Sequence, residues 1–179
     1  MDFSRISNRH RMKVVIIGGV AGGMSAATRL RRLDPEAEII VLEKSGHVSY
    51  ANCGLPYYVG GVIENESDLL LQTPESLHKR FRLDVRVSTE VLSIEADAHT
   101  VTIKNLLSGA TSDLSYDKLI LSPGANPVVP PIQGVELALT LRNIEDVERI
   151  AGAVATKPKN AVVIGGGFIG VEIAENLVH

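Results

Sequence analysis

Tryptophan is missing from this sequence, and aromatic residues make up only 4% of it. That leaves too few rings for a stacking surface of the kind that holds single-stranded nucleic acid. Neither sign of charge dominates: 18 Lys and Arg stand against 21 Asp and Glu, a net charge of −3. Nucleic-acid binding by bulk electrostatics is therefore excluded. A single cysteine forbids an internal disulfide and any cysteine-cluster metal site, so no metal is expected and the setting reads as reduced and cytoplasmic. No uncharged run approaches the ~20 residues that a membrane-spanning helix needs. What is abundant is glycine, 16 of 179 residues, within a chain that is 45% hydrophobic and able to bury a real core. Sheets and helices joined by tight turns suit that balance.

Residues 1–12 resemble a signal peptide only superficially. Basic residues precede Val14–Val20, but Gly18 and Gly19 break that apolar run early. They read as a leader without functional content. Lys13–Ile17 (KVVII) reads as a parallel strand buried on both faces. A helix follows over Gly22–Leu33, with Ala26, Leu30 and Leu33 on its apolar side. Asp34-Pro35 stops it, and Glu38–Glu43 (EIIVLE) is a second buried strand. Together they make one right-handed βαβ unit. A short helix is expected from Cys53, with Asn52 as its cap and Pro56 in its first turn. Another is expected from Thr73-Pro74-Glu75 through Phe81. From Leu83 the apolar period becomes two, which predicts an antiparallel meander through Val85/Val87, Val91, Ile94 and Val101/Ile103. Leu119–Leu121 reads as a buried strand. After a proline-rich connector over Asn126–Gly134, Ile144–Ala155 is an amphipathic helix. Ala161–Ile164 and Gly165–Val178 then repeat the opening strand, glycine turn and helix.

The fold class is thus α/β: a Rossmann-like domain over 13–157 with a small antiparallel insertion, then the first strand, turn and helix of a second nucleotide-binding domain over 158–179. Only nine residues follow Gly170, so this second unit lacks its second strand and the chain reads as the front of a longer protein.

Gly165-Gly166-Gly167-Phe168-Ile169-Gly170 satisfies GxGxxG between an apolar strand and a helix. Gly165 permits the tight turn, Gly167 the approach of a pyrophosphate, and Gly170 close packing of helix on strand, with the anion on the helix N-terminus. The alternative is a glycine-rich turn without a ligand. In the first turn, Gly18 and Gly23 hold the outer positions and Val20 replaces the middle glycine. Glu43 lies 20 residues after Gly23, where a carboxylate takes a ribose hydroxyl, or is simply a solvated strand end. Cys53, in Ser49-Tyr50-Ala51-Asn52-Cys53-Gly54-Leu55-Pro56, reads either as a buried small hydrophobe or as a reactive thiol at a helix start. Ser25, Arg29 and Arg32 run i, i+4, i+7 along one helix face, which by spacing alone is an ordinary solvated face.

The segments VVIIGGVAGGMSAA (14–27), SYANCGLPYY (49–58), YDKLILSPGA (116–125), TLRN (140–143) and VVIGGGFIGVE (162–172) resemble the flavin-dependent pyridine nucleotide-disulfide oxidoreductases. The branch they resemble is that of the coenzyme A disulfide reductases and coenzyme A persulfide or polysulfide reductases. The resemblance implies FAD on the first turn and NADH or NADPH on the second. It implies FAD contacts from Gly18, Gly22, Gly23, Glu43, Glu90, Val91, Ser122, Pro123, Gly124 and Ala125, with Arg142 near the flavin. It further implies that Cys53 is the redox centre, that Ser25, Arg29 and Arg32 hold coenzyme A phosphates, and that Ser49 and Asn52 lie nearer the thiol. The implied partners are a small-molecule thiol and a second subunit of a homodimer, with no nucleic acid or membrane. Where the family pattern has a substrate-contacting lysine, this chain has Phe81, preceded by Lys79 and Arg80. An NADH oxidase or peroxidase with a sulfenic acid cysteine is a neighbouring alternative. That branch carries a histidine where this chain has Ala21. The remaining alternative is a fragment that binds FAD without catalysis.

Overall fold

The computed structural model describes residues 11–178, so all but the last two residues of the expected leader lie outside it, as does His179. The chain divides into two compact units. One is the chain through Gly46 together with Pro74–Pro123; the other is His47–Thr73 with the chain from Gly124 onward.

The first unit is built on a parallel sheet. Its strands are β1 (Lys13–Ile17), β2 (Glu38–Leu42), β3 (Asp84–Arg86) and β7 (Lys118–Leu121), in the order β3-β2-β1-β7. Val15 pairs with Ile40 on one side and with Leu119 on the other. Successive side chains alternate between faces, so an unbroken Val/Ile run needs cover on both. On one face Val15, Ile40 and Leu42 form a core with Val101, Ile103 and Tyr116. The latter residues belong to, or follow, the antiparallel sheet of β4 (Thr89–Glu95), β5 (Thr100–Asn105) and β6 (Thr111–Ser115). On the other side lies helix α1 (Ala21–Leu33), packed on β1 and β2. Helix α3 (Pro74–Phe81) packs beside β3 and buries Leu77.

Three expectations need correction here. Asp84–Arg86 lies in the parallel sheet, against Ile40–Leu42, and not in the meander. Three residues are too few for period-two alternation to tell a parallel edge from a hairpin strand. The buried side of α1 is Gly23, Met24 and Ala27, while Leu33 is 65% exposed. Small residues let the helix axis approach the sheet, and Leu33 lies off that stripe. Finally, β7 is only half-buried, with Leu121 exposed, because it is an edge strand of its sheet.

Arg31 ties the ends of α1 and α3 together. Its guanidinium donates to the carbonyls of Phe81 (2.8 Å), Arg82 (3.1 Å), Pro35 (2.8 Å) and Asp34 (3.3 Å). A planar fork with five donors can serve four carbonyls from two chain segments at once, more than the three donors of a lysine can reach. Burial and then the neighbouring Arg82 charge lower its pKa from the ordinary arginine value.

In the second unit, helix α2 (Leu55–Val59) packs on α4 (Ile144–Ala155) and on α5 (Phe168–Val178). Gly60 lets α5 come close: a Cβ there would stand 2.6 Å from Asn176 Oδ1. Helix α4 has the bounds read from its amphipathic pattern, and Asn143 caps it by accepting from the Asp146 N–H at 2.8 Å. Ala161–Ile164 joins no sheet among the described residues, and Val162 is 86% exposed. An apolar run becomes a strand only through a ladder partner, and none is present for it. No described helix is long and apolar enough to cross a membrane.

Candidate functional site

The sheet of the first unit ends in a glycine turn shaped by contacts that only glycine allows. Gly18 has φ +100°, and its N–H donates to Leu42 O at 2.8 Å. A Cβ on Gly18 would stand 2.0 Å from Ser122 O, and one on Gly23 would stand 1.8 Å from Gly18 O. Strand, turn and helix are therefore locked backbone to backbone, with Ser122 as the third wall. Ser122 also stands beside Gly22, where a Cβ would lie 3.3 Å from Ser122 Oγ.

Helix α1 opens from this turn with no side-chain cap and no acidic residue in its first turn. The positive end of a 13-residue helix is left facing outward, the electrostatic requirement for a pyrophosphate. Val20, the replacement for the middle glycine, is its N-cap.

Glu43 is wired into the same turn. Its Oε2 accepts from the Gly19 N–H at 2.7 Å and its Oε1 from the Ser45 N–H at 2.8 Å. Its backbone N–H donates to Arg86 O at 2.9 Å, and its carbonyl accepts from Thr89 N–H at 2.9 Å. A carboxylate offers about four lone-pair directions, so two backbone donors leave capacity for a ribose diol. The glycine cradle, the open helix end and the half-buried acid fit a dinucleotide such as FAD.

The other expected residues of this unit lie as follows. Glu90 and Val91 sit on β4 opposite Lys104 and Ile103, just before a bulge between Val91 and Ser93. Lys44 pairs with Glu90 at 2.7 Å. Ser25, Arg29 and Arg32 are all exposed on α1, as their spacing requires.

In the second unit Cys53 is exposed, within a 3-10 turn over Asn52–Gly54 that runs directly into α2. The expected cap from Asn52 is not formed, because Asn52 lies inside the turn and Ala51 precedes it. Pro56 stands in the first turn of α2, as expected. Ser49 holds a left-handed backbone at φ 49°. The Arg142 guanidinium lies against Gly124, where a Cβ would be 2.9 Å from Nη2, and hydrogen-bonds Asn126. The Arg142 N–H donates to Asp146 Oδ2 at 2.9 Å. Asn143-x-x-Asp146 has capping-box spacing, a signal in the sequence that could have announced this anchor.

The turn before α5 repeats the first. Gly165 has φ +115°, a Cβ on Gly170 would stand 2.1 Å from Gly165 O, and the space beside Gly167 is open. Also in this unit, burial and a hydrogen bond with Glu66 hold the Glu148 carboxyl above the usual range. Among the described residues no His, Cys, Asp and Glu cluster could hold a metal.

Two glycine turns of similar design, the first opening on an acid at the end of β2, define a dinucleotide-binding α/β architecture. The chain belongs to the pyridine nucleotide-disulphide oxidoreductase family, which it matches over residues 12–179. It is 43% identical over 168 residues to a coenzyme A disulfide reductase of Staphylococcus epidermidis, covering 93% of this chain and 38% of that protein. The crystal structure of reduced CoADR-RHD from Bacillus anthracis superposes with a TM-score of 0.92 at 54% identity, covering 94% of this chain and 31% of that one. A NAD-dependent persulfide reductase from A. fulgidus superposes with a TM-score of 0.88 at 40% identity, covering 93% and 31%. The chain thus spans well under half the length of these relatives.

Proposed function

We propose that this chain is the amino-terminal part of a homodimeric cytoplasmic flavoprotein that draws electrons from NADH or NADPH to reduce a coenzyme A-linked disulfide or persulfide. The observation that carries the reading is the exposure of Cys53, the chain's one thiol, in a protein with two dinucleotide turns. Exposure disagrees with the alternative of a buried packing cysteine and leaves the sulfur open to a substrate.

In this reading Gly18, Gly22, Gly23, Glu43, Glu90, Val91, Ser122, Pro123, Gly124, Ala125 and Arg142 hold FAD, and Gly165, Gly167 and Gly170 the nicotinamide dinucleotide. When bound, these cofactors supply the two-electron reduction that side chains cannot perform. Cys53 as thiolate attacks the substrate S–S bond. A new bond forms between Cys53 Sγ and one substrate sulfur, and the other sulfur departs as a thiolate that takes up a proton. Ser49 and Asn52 face the thiol end, and Ser25, Arg29 and Arg32 take the coenzyme A phosphates. Both relatives named for their substrates act on sulfur–sulfur bonds, which supports this chemistry.

The arginines give the test. In the full-length flavoprotein, Arg29→Ala/Arg32→Ala is expected to raise KM for coenzyme A disulfide at least tenfold, since charge-assisted contacts are worth ~1.5–3 kcal/mol each. The KM for inorganic polysulfide, which has no remote phosphates, should move far less. Equal loss on both substrates, or on neither, would contradict the assignment.

A further inference from the structure

Helix α4 opens with a carboxylate placed where capping alone does not require it. Asp146 is 7% exposed, in a turn whose Ile144 and Val147 are fully buried. Taking a carboxylate out of water is costly unless hydrogen bonds hold it. In the usual capping box, the acid at the third helical position accepts from the N–H of the cap residue itself. Here Asn143 is the cap and accepts the Asp146 N–H at 2.8 Å, but Asp146 Oδ2 reaches one residue further back, to the Arg142 N–H at 2.9 Å. Its other oxygen takes the Arg149 guanidinium, which is mostly exposed. An acid wanted only for the positive end of the helix could have stayed in water.

What the longer reach fixes is the backbone of Arg142. The guanidinium at the far end of the same residue lies against Gly124 and hydrogen-bonds Asn126. Gly124 has φ +70°, and a Cβ there would stand 2.9 Å from Arg142 Nη2. The arginine is thus seated at both ends, its head on the segment just past Pro123 and its root on a buried carboxylate.

Resting on the reading above in which Arg142 and Gly124 hold FAD, we propose that Asp146 is a positioning residue of the FAD site that acts through Arg142 and touches no cofactor itself. An arginine side chain has much rotamer freedom to lose when it engages a ligand, and a fixed root lowers that cost before the ligand arrives.

The test is a double-mutant cycle on FAD binding. The Kd of flavin-free, full-length protein is read from quenching of flavin fluorescence, together with the thermal midpoint of each flavin-free variant. Arg142→Ala and Asp146→Ala should each raise Kd about tenfold, and the double variant should go no higher than Arg142→Ala, because one residue acts through the other. Asp146→Asn keeps an acceptor oxygen for the Arg142 N–H and should stay within about twofold of the wild type. Asn143→Ala removes only the cap, so it should lower the thermal midpoint while leaving Kd within about twofold. Multiplied effects in the double variant, an asparagine variant as weak as the alanine one, or a Kd in Asn143→Ala as high as in Asp146→Ala would each overturn the inference and leave Asp146 a helix-stabilising residue. Arg142→Ala binding FAD like the wild type would instead remove Arg142 from the FAD site, and Asp146 with it. A wild-type protein that binds no FAD would sink the reading itself.

Discussion

Replacing Cys53 with serine in the full-length flavoprotein is expected to lower disulfide or persulfide reduction by roughly a thousandfold or more while leaving FAD in place. A serine oxygen is a far weaker nucleophile toward an S–S bond than a cysteine sulfur, so the variant has no group at that position able to open the substrate disulfide. Cys53 is the only cysteine of these 179 residues. The substitution is nearly isosteric at an exposed position, so stability should change by less than about 0.5 kcal/mol. Flavin absorbance and the thermal midpoint separate lost chemistry from lost structure. A flavin-loaded serine variant turning over like the wild type would make Cys53 a bystander.

The largest expected effect on stability is at Gly18. Alanine there meets two independent obstacles. The backbone at φ +100° costs an L-residue roughly 1 kcal/mol or more, and the new Cβ would stand 2.0 Å from Ser122 O. That carbonyl is backbone and cannot swing away, so overpacking adds about 1–3 kcal/mol, for a total of roughly 2–4 kcal/mol. A loss of that size takes a large part of an ordinary domain's 5–15 kcal/mol (about that range) and should shift a urea midpoint by more than 1 M, roughly. Two other glycines calibrate the result. Gly61 has φ +76° but open space around it, so Gly61→Ala should cost only about 1 kcal/mol. Gly166 has neither obstacle, and its alanine variant should be within about 0.5 kcal/mol of wild type. Gly18→Ala proving no worse than Gly61→Ala would mean that the turn does not need its close approach to Ser122.

The elements legible in the sequence are those whose signal is local. β1 and α4 have the bounds read from the apolar run KVVII and from the amphipathic pattern over 144–155. The glycine turns were legible because the need for positive φ and for close backbone approach is written in residue type. Partnership was not legible. Nothing local distinguishes Asp84–Arg86 as a parallel edge strand, and Ala161–Ile164 has strand composition but no ladder partner among the described residues. Long-range polar contacts were equally silent: Arg31 reaches carbonyls some fifty positions away, and its spacing on α1 is that of any solvated arginine. Within the candidate site, the spacing of Glu43 from the turn was legible, but its grip on the Gly19 N–H was not, since that donor has no side chain to announce it.

The central claim is that Cys53 exchanges with a coenzyme A-linked sulfur. Intact-protein mass spectrometry of the oxidant-free, full-length flavoprotein, mixed with coenzyme A disulfide in the absence of NADH and NADPH, tests it most directly. The account predicts one coenzyme A joined by a disulfide to Cys53, formed at least tenfold faster than the adduct from glutathione disulfide and absent in Cys53→Ser. No adduct at Cys53, or equal rates with the two disulfides, would contradict it.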